Sequence, residues 1–499
     1  MVGSVESARR GSVARNGERH YETVIGLEVH AQVLTASKMF CGCSAHYADA
    51  PPNTHVCPVC GGFPGALPVM NRAAVEKIVL TGLALNCDVP AFSKMDRKNY
   101  FYPDLPKGYQ VSQYDLPLCV DGFLELAVDG EMRRIGITRV HAEEDTGRLV
   151  HRREHGREVS LVDLNRSGVP LMEIVGEPDL RSPEEAREYL VALRQILRYI
   201  GVSSGNMEEG AFRCDANISV REIGGPLGAK VEIKNMNSFR AVERALRYEE
   251  ERQRAILDAG DNVAQETRGW VEDRGVTVGQ RTKEQAHDYR YFPEPDLPPL
   301  HVSAEMAAAV RERLPELPMA RRQRLRERFG FAAADAALLT AEREVADIFE
   351  AVVGAEGDGE RARTAANWIV NDISGLQRAR GLPPEQLPLD VEQLRDLLDV
   401  VGEGALTTRA AKELLPEIAP GERPRDAAAR LNLLALDDEA AVRDAALAAI
   451  DAFPAAVADY AGGKTAAIGR LIGETIKRTG GRAKPDQVRR LLEDELSRR

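Results

Sequence analysis

Cysteine, carboxylate and imidazole spacings carry the chemistry of this chain. Cys41-Gly-Cys43 is followed, after thirteen residues, by Cys57-Pro-Val-Cys60-Gly-Gly. Cys-x2-Cys with a trailing glycine forms a tight knuckle that aims two thiolates at one point, and zinc takes four such ligands as a tetrahedron. The Cys-x-Cys half is the less usual one, and His46 or His55 could replace one of its thiols. Four protein ligands leave no open position, so the expected zinc is structural. Four ordinary thiols in a reducing compartment are the alternative. Cys87, Cys119 and Cys214 share no such pattern and read as core.

A second set is acidic. Glu28 and His30 stand two apart, and HAEEDTG supplies His141, Glu143, Glu144 and Asp145 in one short run. Glu173 sits inside the apolar run LMEIV, where an unpaired carboxylate is costly to bury. MEEGAFRCDAN adds Glu208, Glu209 and Asp215. Magnesium takes oxygen ligands in octahedral geometry and commonly shares them with nucleotide phosphates, which strand-borne groups facing one cleft would suit. For any single glutamate, an ordinary surface salt bridge is the competing reading; Glu173 fits it worst.

The stretch 96–115 interleaves Arg97, Lys98 and Lys107 with Tyr100, Phe101, Tyr102, Tyr109 and Tyr114. Cations beside aromatic rings bind phosphates and stack bases, although a loop that packs its own aromatics has the same composition. Gly201-Val-Ser203-Ser-Gly205 has nucleophile-elbow spacing but follows a helical pattern instead of a strand. Gly463-Lys464-Thr465 ends like a phosphate loop, yet Ala458 stands where the first glycine belongs.

These groups need elements to hold them. Thr23, Ile25, Leu27 and Val29 alternate with Val24, Gly26, Glu28 and His30, a strand signature. Residues 213–221 alternate likewise, and after GGPLG so do residues 229–234, which predicts a hairpin. Helices are expected over 183–200, opened by Ser182-Pro183, and over 238–257. The first part is therefore α+β with a mainly antiparallel sheet. Four prolines in YFPEPDLPPL (291–300) end it. Beyond them, helical spacing is found near 335–353, 361–380, 390–400, 406–417, 438–452, 464–479 and 486–496.

The net charge of −12 from 66 basic and 78 acidic residues excludes a general nucleic-acid coat. Residues 462–499 invert that balance, with ten Lys/Arg against five Asp/Glu. A local basic face of this kind suits phosphate contacts, and a solvated helical surface would look the same. No run approaches the ~18 apolar residues of a membrane span, and residues 1–20 lack an apolar signal core; a cytoplasmic protein with no membrane partner is expected.

Taken together, YETVIGLEVHAQV, FPGALPVMN, SKMDRKNYFYPDLPKGYQVSQYD, IGITRVHAEEDTG, SLVDLNRSGVPLMEIVGEPD, GNMEEGAFRCDANISVR and DYRYFPEPDLPPL resemble the GatB/GatE family, the B-type subunits of the aspartyl/glutamyl-tRNA(Asn/Gln) amidotransferases. The resemblance runs from Tyr21 to the C-terminus. It implies a glutamine-synthetase-like antiparallel cradle domain (21–298), a helical domain (299–400) and a YqeY-like tRNA-binding tail (401–499), in which Lys484 stands where Asn is common. Residues 1–20 precede the match and are expected to be a disordered extension, and the zinc knuckle falls in the cradle domain.

The activity it implies is ATP-dependent phosphorylation of the side-chain carboxylate of Glu-tRNA(Gln) or Asp-tRNA(Asn). Amidation then follows with ammonia from a partner amidase subunit, the A-type component of the amidotransferase, alongside a small C-type component. Glu28, His30, Glu144 and Glu173 are the implied catalytic and magnesium-binding residues, with Glu143, Glu209 and Asp215 as weaker candidates. The resemblance implies ATP and Mg2+ as cofactors, and it allows without requiring the structural Zn2+ expected from the cysteine spacing. Arg97, Lys98 and Lys234 are expected at the nucleotide, and Lys464, Lys477, Arg478, Arg482 and Lys484 at the tRNA. A non-catalytic tRNA-binding zinc protein and a hydrolase built on Ser203 are the competing classes; neither accounts for the carboxylates.

Overall fold

The computed structural model describes residues 20–128, 130–281, 286–355, 357–436 and 438–498. The expected extension 1–20 thus lies outside the described residues, apart from His20. The chain forms two compact units that divide between Leu317 and Pro318.

The first unit opens with β1 (Tyr21–Gln32) and α1 (Arg72–Ala84), then β2 (Phe92–Ser93), β3 (Asp96–Asn99), β4 (Tyr109–Ser112) and β5 (Cys119–Val128). There follow β6 (Glu131–Glu144), β7 (Arg148–Glu154), β8 (Arg157–Asp163), β9 (Pro170–Gly176) and α2 (Pro183–Tyr199). β10 (Phe212–Glu222), β11 (Val231–Lys234), α3 (Phe239–Asp258), β12 (Glu266–Val271) and β13 (Val276–Arg281) complete the main sheet. Short strands β14 (Phe292–Pro293) and β15 (Leu300–His301) lead to α4 (Ala304–Arg311). The eight-stranded sheet has the order β13-β12-β11-β10-β1-β9-β6-β5. All its pairings are antiparallel except β11 with β12. The hairpin expected from alternation is β10–β11, in register Ala216↔Ile233.

Period-two alternation gives the sheet one apolar and one polar face. Ile25, Leu27, Val29 and Ala31 of β1, with Ala216 and Ile218 of β10, join a core that also contains Tyr189, Leu190, Leu193 and Leu197 of α2 and Leu246 of α3. Both helices start as expected: the hydroxyls of Ser182 and Ser238 accept the amides of Glu185 and Ala241 at 3.1 Å, which satisfies donors that helix geometry leaves unpaired. The opposite face of the sheet is thereby left for Glu28, His30 and their neighbours.

Two boundaries differ from expectation. The first unit continues past 298 because Val310 of α4 is buried in its core and Leu314 packs against it. Position 400 falls inside the helix Val391–Gly402. The buried side chains of the second unit divide further on, one cluster running from Leu325 to Ala428 and another from Val442 to Leu492. That unit is helical, as its periodicity requires. The 335–353 stretch is two helices, Ala333–Leu339 and Arg343–Val353. The 361–380 stretch contains a π-helical turn, Trp368–Ile373. No helix among the described residues is long and apolar enough to cross a membrane.

Leu193 is fully buried between α2 and the sheet, whereas Val191 on the same helix is 40% exposed. Leu193→Ala is expected to destabilise the first unit by about 2–5 kcal/mol, and Val191→Ala by no more than about 0.5 kcal/mol. Chemical denaturation followed by the fluorescence of Trp270, which lies in this unit, measures both.

Candidate active site

Four neighbouring strands deliver the polar face. Arg213 pairs with His30, His30 with Glu173, and Glu173 with His141 across β10, β1, β9 and β6. Residues directly opposed in a sheet present their side chains on one face, so this row converges. The next row brings Asp215 opposite Glu28, and the row on the other side brings Gln32 and Glu143 opposite Leu171. His30 Nε2 lies 3.5 Å from Glu173 Oε2 and 3.7 Å from Glu143 Oε2. His141 Nε2 lies 3.2 Å from Glu173 Oε2 and 3.3 Å from Glu143 Oε1. One ligand atom each from His30, Glu143 and Glu173 falls within a 4.8 Å group. They lie in a cleft of about 500 Å3 that is also lined by Glu28, Lys98, Arg139, Arg213, Asp215 and Lys234.

Burial opposes every charge here, and the neighbours overcome it. Desolvation would lower the His141 imidazolium, but the Glu173 and Glu143 carboxylates outweigh it and raise the pKa to about 9. His30 is raised for the same reason, chiefly by Glu173. Conversely, burial would raise Glu173, and the two imidazoles bring it well below the usual carboxylate range. Glu143 is also lowered against burial, by His141 and Lys98 despite Glu173 beside it, and it accepts the Ser112 hydroxyl at 2.7 Å. Asp145 is held down against its burial by Arg213 and Arg166; Arg213 Nη2 is 3.1 Å from its Oδ1. The result is two carboxylates and two imidazoles in contact, flanked by cations.

Not every residue marked in the sequence reaches this group. Glu28 and Asp215 line the cleft, Glu28 accepting from Asn217 at 2.9 Å. Lys98 lines it too, its ammonium 4.9 Å from the Tyr289 ring centroid, and so does Lys234, paired with Asp215 at 2.6 Å. Tyr100 and Tyr114 stand in its wall with Tyr289 and Tyr291. Glu144 does not join: it follows Glu143 on β6, so alternation turns it to the other face. There it pairs with Lys107 and accepts the Val111 amide at 3.0 Å. Arg97 is likewise turned away from its neighbour Lys98, its guanidinium on Glu294 at 2.7 Å and over the Tyr109 ring at 4.2 Å. Glu208 and Glu209 are exposed on the turn before β10. Ser203 is buried, its hydroxyl accepting the Gly205 amide at 3.3 Å.

Sequence reasoning missed Arg139, Arg213, Gln110, Gln113 and Thr267. Arg139 and Arg213 were findable, since each stands two residues from a marked group on an alternating strand.

The four knuckle cysteines do come together. The sulfurs of Cys41, Cys43, Cys57 and Cys60 lie within 4.8 Å of one another, a group that includes neither His46 nor His55. A hydrogen bond from the Cys41 thiol, opposed by burial and aided by the Cys57 amide and the Lys38 ammonium, holds Cys60 down at about 4. In the second unit, Lys464 pairs with Asp459 at 2.9 Å and Arg478 with Glu474 at 2.9 Å. Arg482 donates to Asn432 at 2.9 Å, Lys477 is exposed, and Lys484 is half-buried beside Gly404.

The antiparallel sheet that carries this cleft and the helical unit that follows it in the chain both match a known family. Residues 23–308 match the GatB/GatE catalytic domain, and residues 347–496 match a second GatB domain. The chain is 59% identical to the B-type subunit of the aspartyl/glutamyl-tRNA(Asn/Gln) amidotransferase of Thermomicrobium roseum, over 95% of this chain and 99% of that protein. The proteins of the same name from Moorella thermoacetica and Roseiflexus castenholzii are 54% and 53% identical, over 95% and 96% of this chain and 100% and 99% of theirs. The chain belongs to the GatB family, the B-type subunits of the aspartyl/glutamyl-tRNA(Asn/Gln) amidotransferases.

The raised imidazoles give the metal-free chain a measurable pH signature. A folded-state pKa above the unfolded value of about 6.5 stabilises the fold fully below that pH, and the contribution is lost as pH rises through the folded value. His141 should therefore titrate near 9 by NMR in protein stripped of divalent ions, and stability should fall between about pH 6.5 and 9. Glu173→Gln is expected to move the His141 titration downward and to flatten that fall.

Proposed function

We propose that the cleft activates a carboxylate for amide formation. As a GatB-family protein, the chain is part of a ligase working in protein biosynthesis. The reading is that the side-chain carboxylate of Glu or Asp mischarged onto tRNA(Gln) or tRNA(Asn) is phosphorylated by ATP, after which ammonia displaces phosphate. The observation that carries it is the composition of the cleft: buried acids at its centre and Lys98, Lys234, Arg139 and Arg213 around them. Bringing a carboxylate against a triphosphate joins two anions, so cations on both sides of the reacting atoms are what the chemistry demands.

A divalent cation fits the donor set. Glu143 and Glu173 offer the hard oxygens that magnesium prefers, His30 Nε2 is a third donor, and Glu28 and Asp215 lie one row along. Held there, it would neutralise charge on the transferring phosphate. Lys98 and Lys234 are assigned to the phosphates, and Arg213, braced by Asp145, to orienting the entering carboxylate. The four cysteines are assigned to a structural zinc, since four thiolates fill its tetrahedron. Ammonia is assigned to the partner amidase of the A type, held with the small C-type partner. The exposed Lys464, Lys477 and Arg478, with Arg482 and Lys484, are assigned to tRNA phosphates.

The direct test is Glu173→Ala in the assembled enzyme. Loss of ATP-dependent amidation by roughly 100-fold or more is expected, with glutamine hydrolysis by the partner persisting at least in part. Near wild-type amidation by a correctly folded variant would sink the assignment.

Charge reversal at the exposed Lys464, Lys477 and Arg478 tests the tail without cutting the buried cluster that runs from Val442 to Leu492. Because the cleft belongs to the other unit, the loss should appear in KM more than in kcat. The log–log salt slope of tRNA binding should become shallower by about 0.7–0.9 per phosphate contact removed. Parallel salt lines with equal affinity would mean that the basic terminus is only a solvated surface.

A further inference from the structure

Lys38 follows β1 and its side chain is completely buried. Its ammonium donates to the carbonyl of His55 at 2.7 Å, to the carbonyl of Leu164 at 3.3 Å and to Cys60 Sγ at 3.5 Å. Lysine has three N–H donors, so its capacity is filled. Two of the acceptors are neutral carbonyls. A buried charge is costly unless it is both hydrogen-bonded and paired with an opposite charge. Of the three, only the sulfur can carry that charge.

We propose that Lys38 is the counter-charge of the four-cysteine site, its N–H···S bond to Cys60 offsetting part of the excess negative charge that four thiolates leave around a divalent ion. The inference rests on the reading of the cysteines as a metal site. Their sulfurs converge without an imidazole among them, so the ligand set is all-thiolate and has the largest charge to offset. Lys38 is then a positioning residue of the kind that sets metal affinity from outside the ligand shell.

The placement also explains how the knuckle is anchored. One ammonium ties together the segment after β1, the His55–Cys60 knuckle and the turn at Leu164 that leads into β9. The Ser167 hydroxyl adds a bond to the Cys60 carbonyl at 3.1 Å. The strand that follows this turn carries Glu173.

The experiment uses the full-length chain. Zinc transfer to a chromogenic chelator gives the affinity. The sulfur-to-cobalt charge-transfer band of the Co(II)-substituted chain reports the N–H···S bond. Lys38→Met, which keeps the volume and removes the charge, is expected to weaken zinc binding by roughly 10- to 100-fold and to move the band to lower energy. Lys38→Arg should recover most of the affinity. Zinc affinity of Lys38→Met within about twofold of the unmodified chain, with an unmoved band, overturns the inference. Where Lys38→Met does not fold, Lys38→Gln is compared with Lys38→Arg, and equal zinc retention by the two overturns it as well. An unmodified chain that takes up neither metal on its thiolates overturns the metal reading and this inference with it; normal uptake that ignores residue 38 overturns this inference alone.

Discussion

The register of β10, β1, β9 and β6 is the constraint on which the rest depends. Side chains alternate with a period of two, so slipping any one of these strands by a single residue would exchange its core set for its cleft set. Ile25, Leu27, Val29 and Ala31 fix β1 from below by their burial, and α2 and α3 supply the apolar surface that receives them. The cleft is the obligatory other side of that packing. His30, Glu173 and His141 converge because Val29, Ile174 and Val140 do so on the opposite face, in the same register.

A row of this kind would be unstable if its charges were independent. Glu143 and Glu173 are buried and close together, which by itself favours protonation. The imidazoles between them, with Lys98 beyond, keep both ionised. The site therefore rests on mutual compensation, and removing one member leaves another buried without its partner. The same logic operates at the knuckle, where a buried ammonium meets a sulfur cluster. In both places a buried charge is met by an opposite one placed against it by the fold.

Much of this was legible in the sequence, for reasons that particular residues make plain. β1 and β10 showed in their alternation, and α2 and α3 showed in Ser182-Pro183 and in apolar spacing, to within one residue at their ends. The cysteines stood at metal spacing and do converge. What the sequence could not decide was the choice between adjacent residues. Glu143 and Glu144 are chemically equivalent, and only the pairing of β6 with β9 selects Glu143 for the cleft. Lys98 and Arg97 present the same choice on β3, settled by Glu294, almost two hundred positions away, which captures the guanidinium. Lys38 gave no signal at all, because a buried lysine and a surface lysine are the same letter until the loops close around it. The limits of the helical unit were obscured by uniform Ala- and Leu-rich periodicity, which continues unbroken across position 400.

If the cleft holds a divalent cation as proposed, strand register, and not acidity alone, selects its ligands. Anomalous diffraction from crystals of the chain soaked in Mn2+, a stand-in for Mg2+ that shares its preference for oxygen ligands, tests it most directly. A peak within coordination distance of Glu143, Glu173 and His30 is the predicted result. A peak bound through Glu144 on the opposite face, or no peak in the cleft at a Mn2+ concentration that supports activity, would contradict the account.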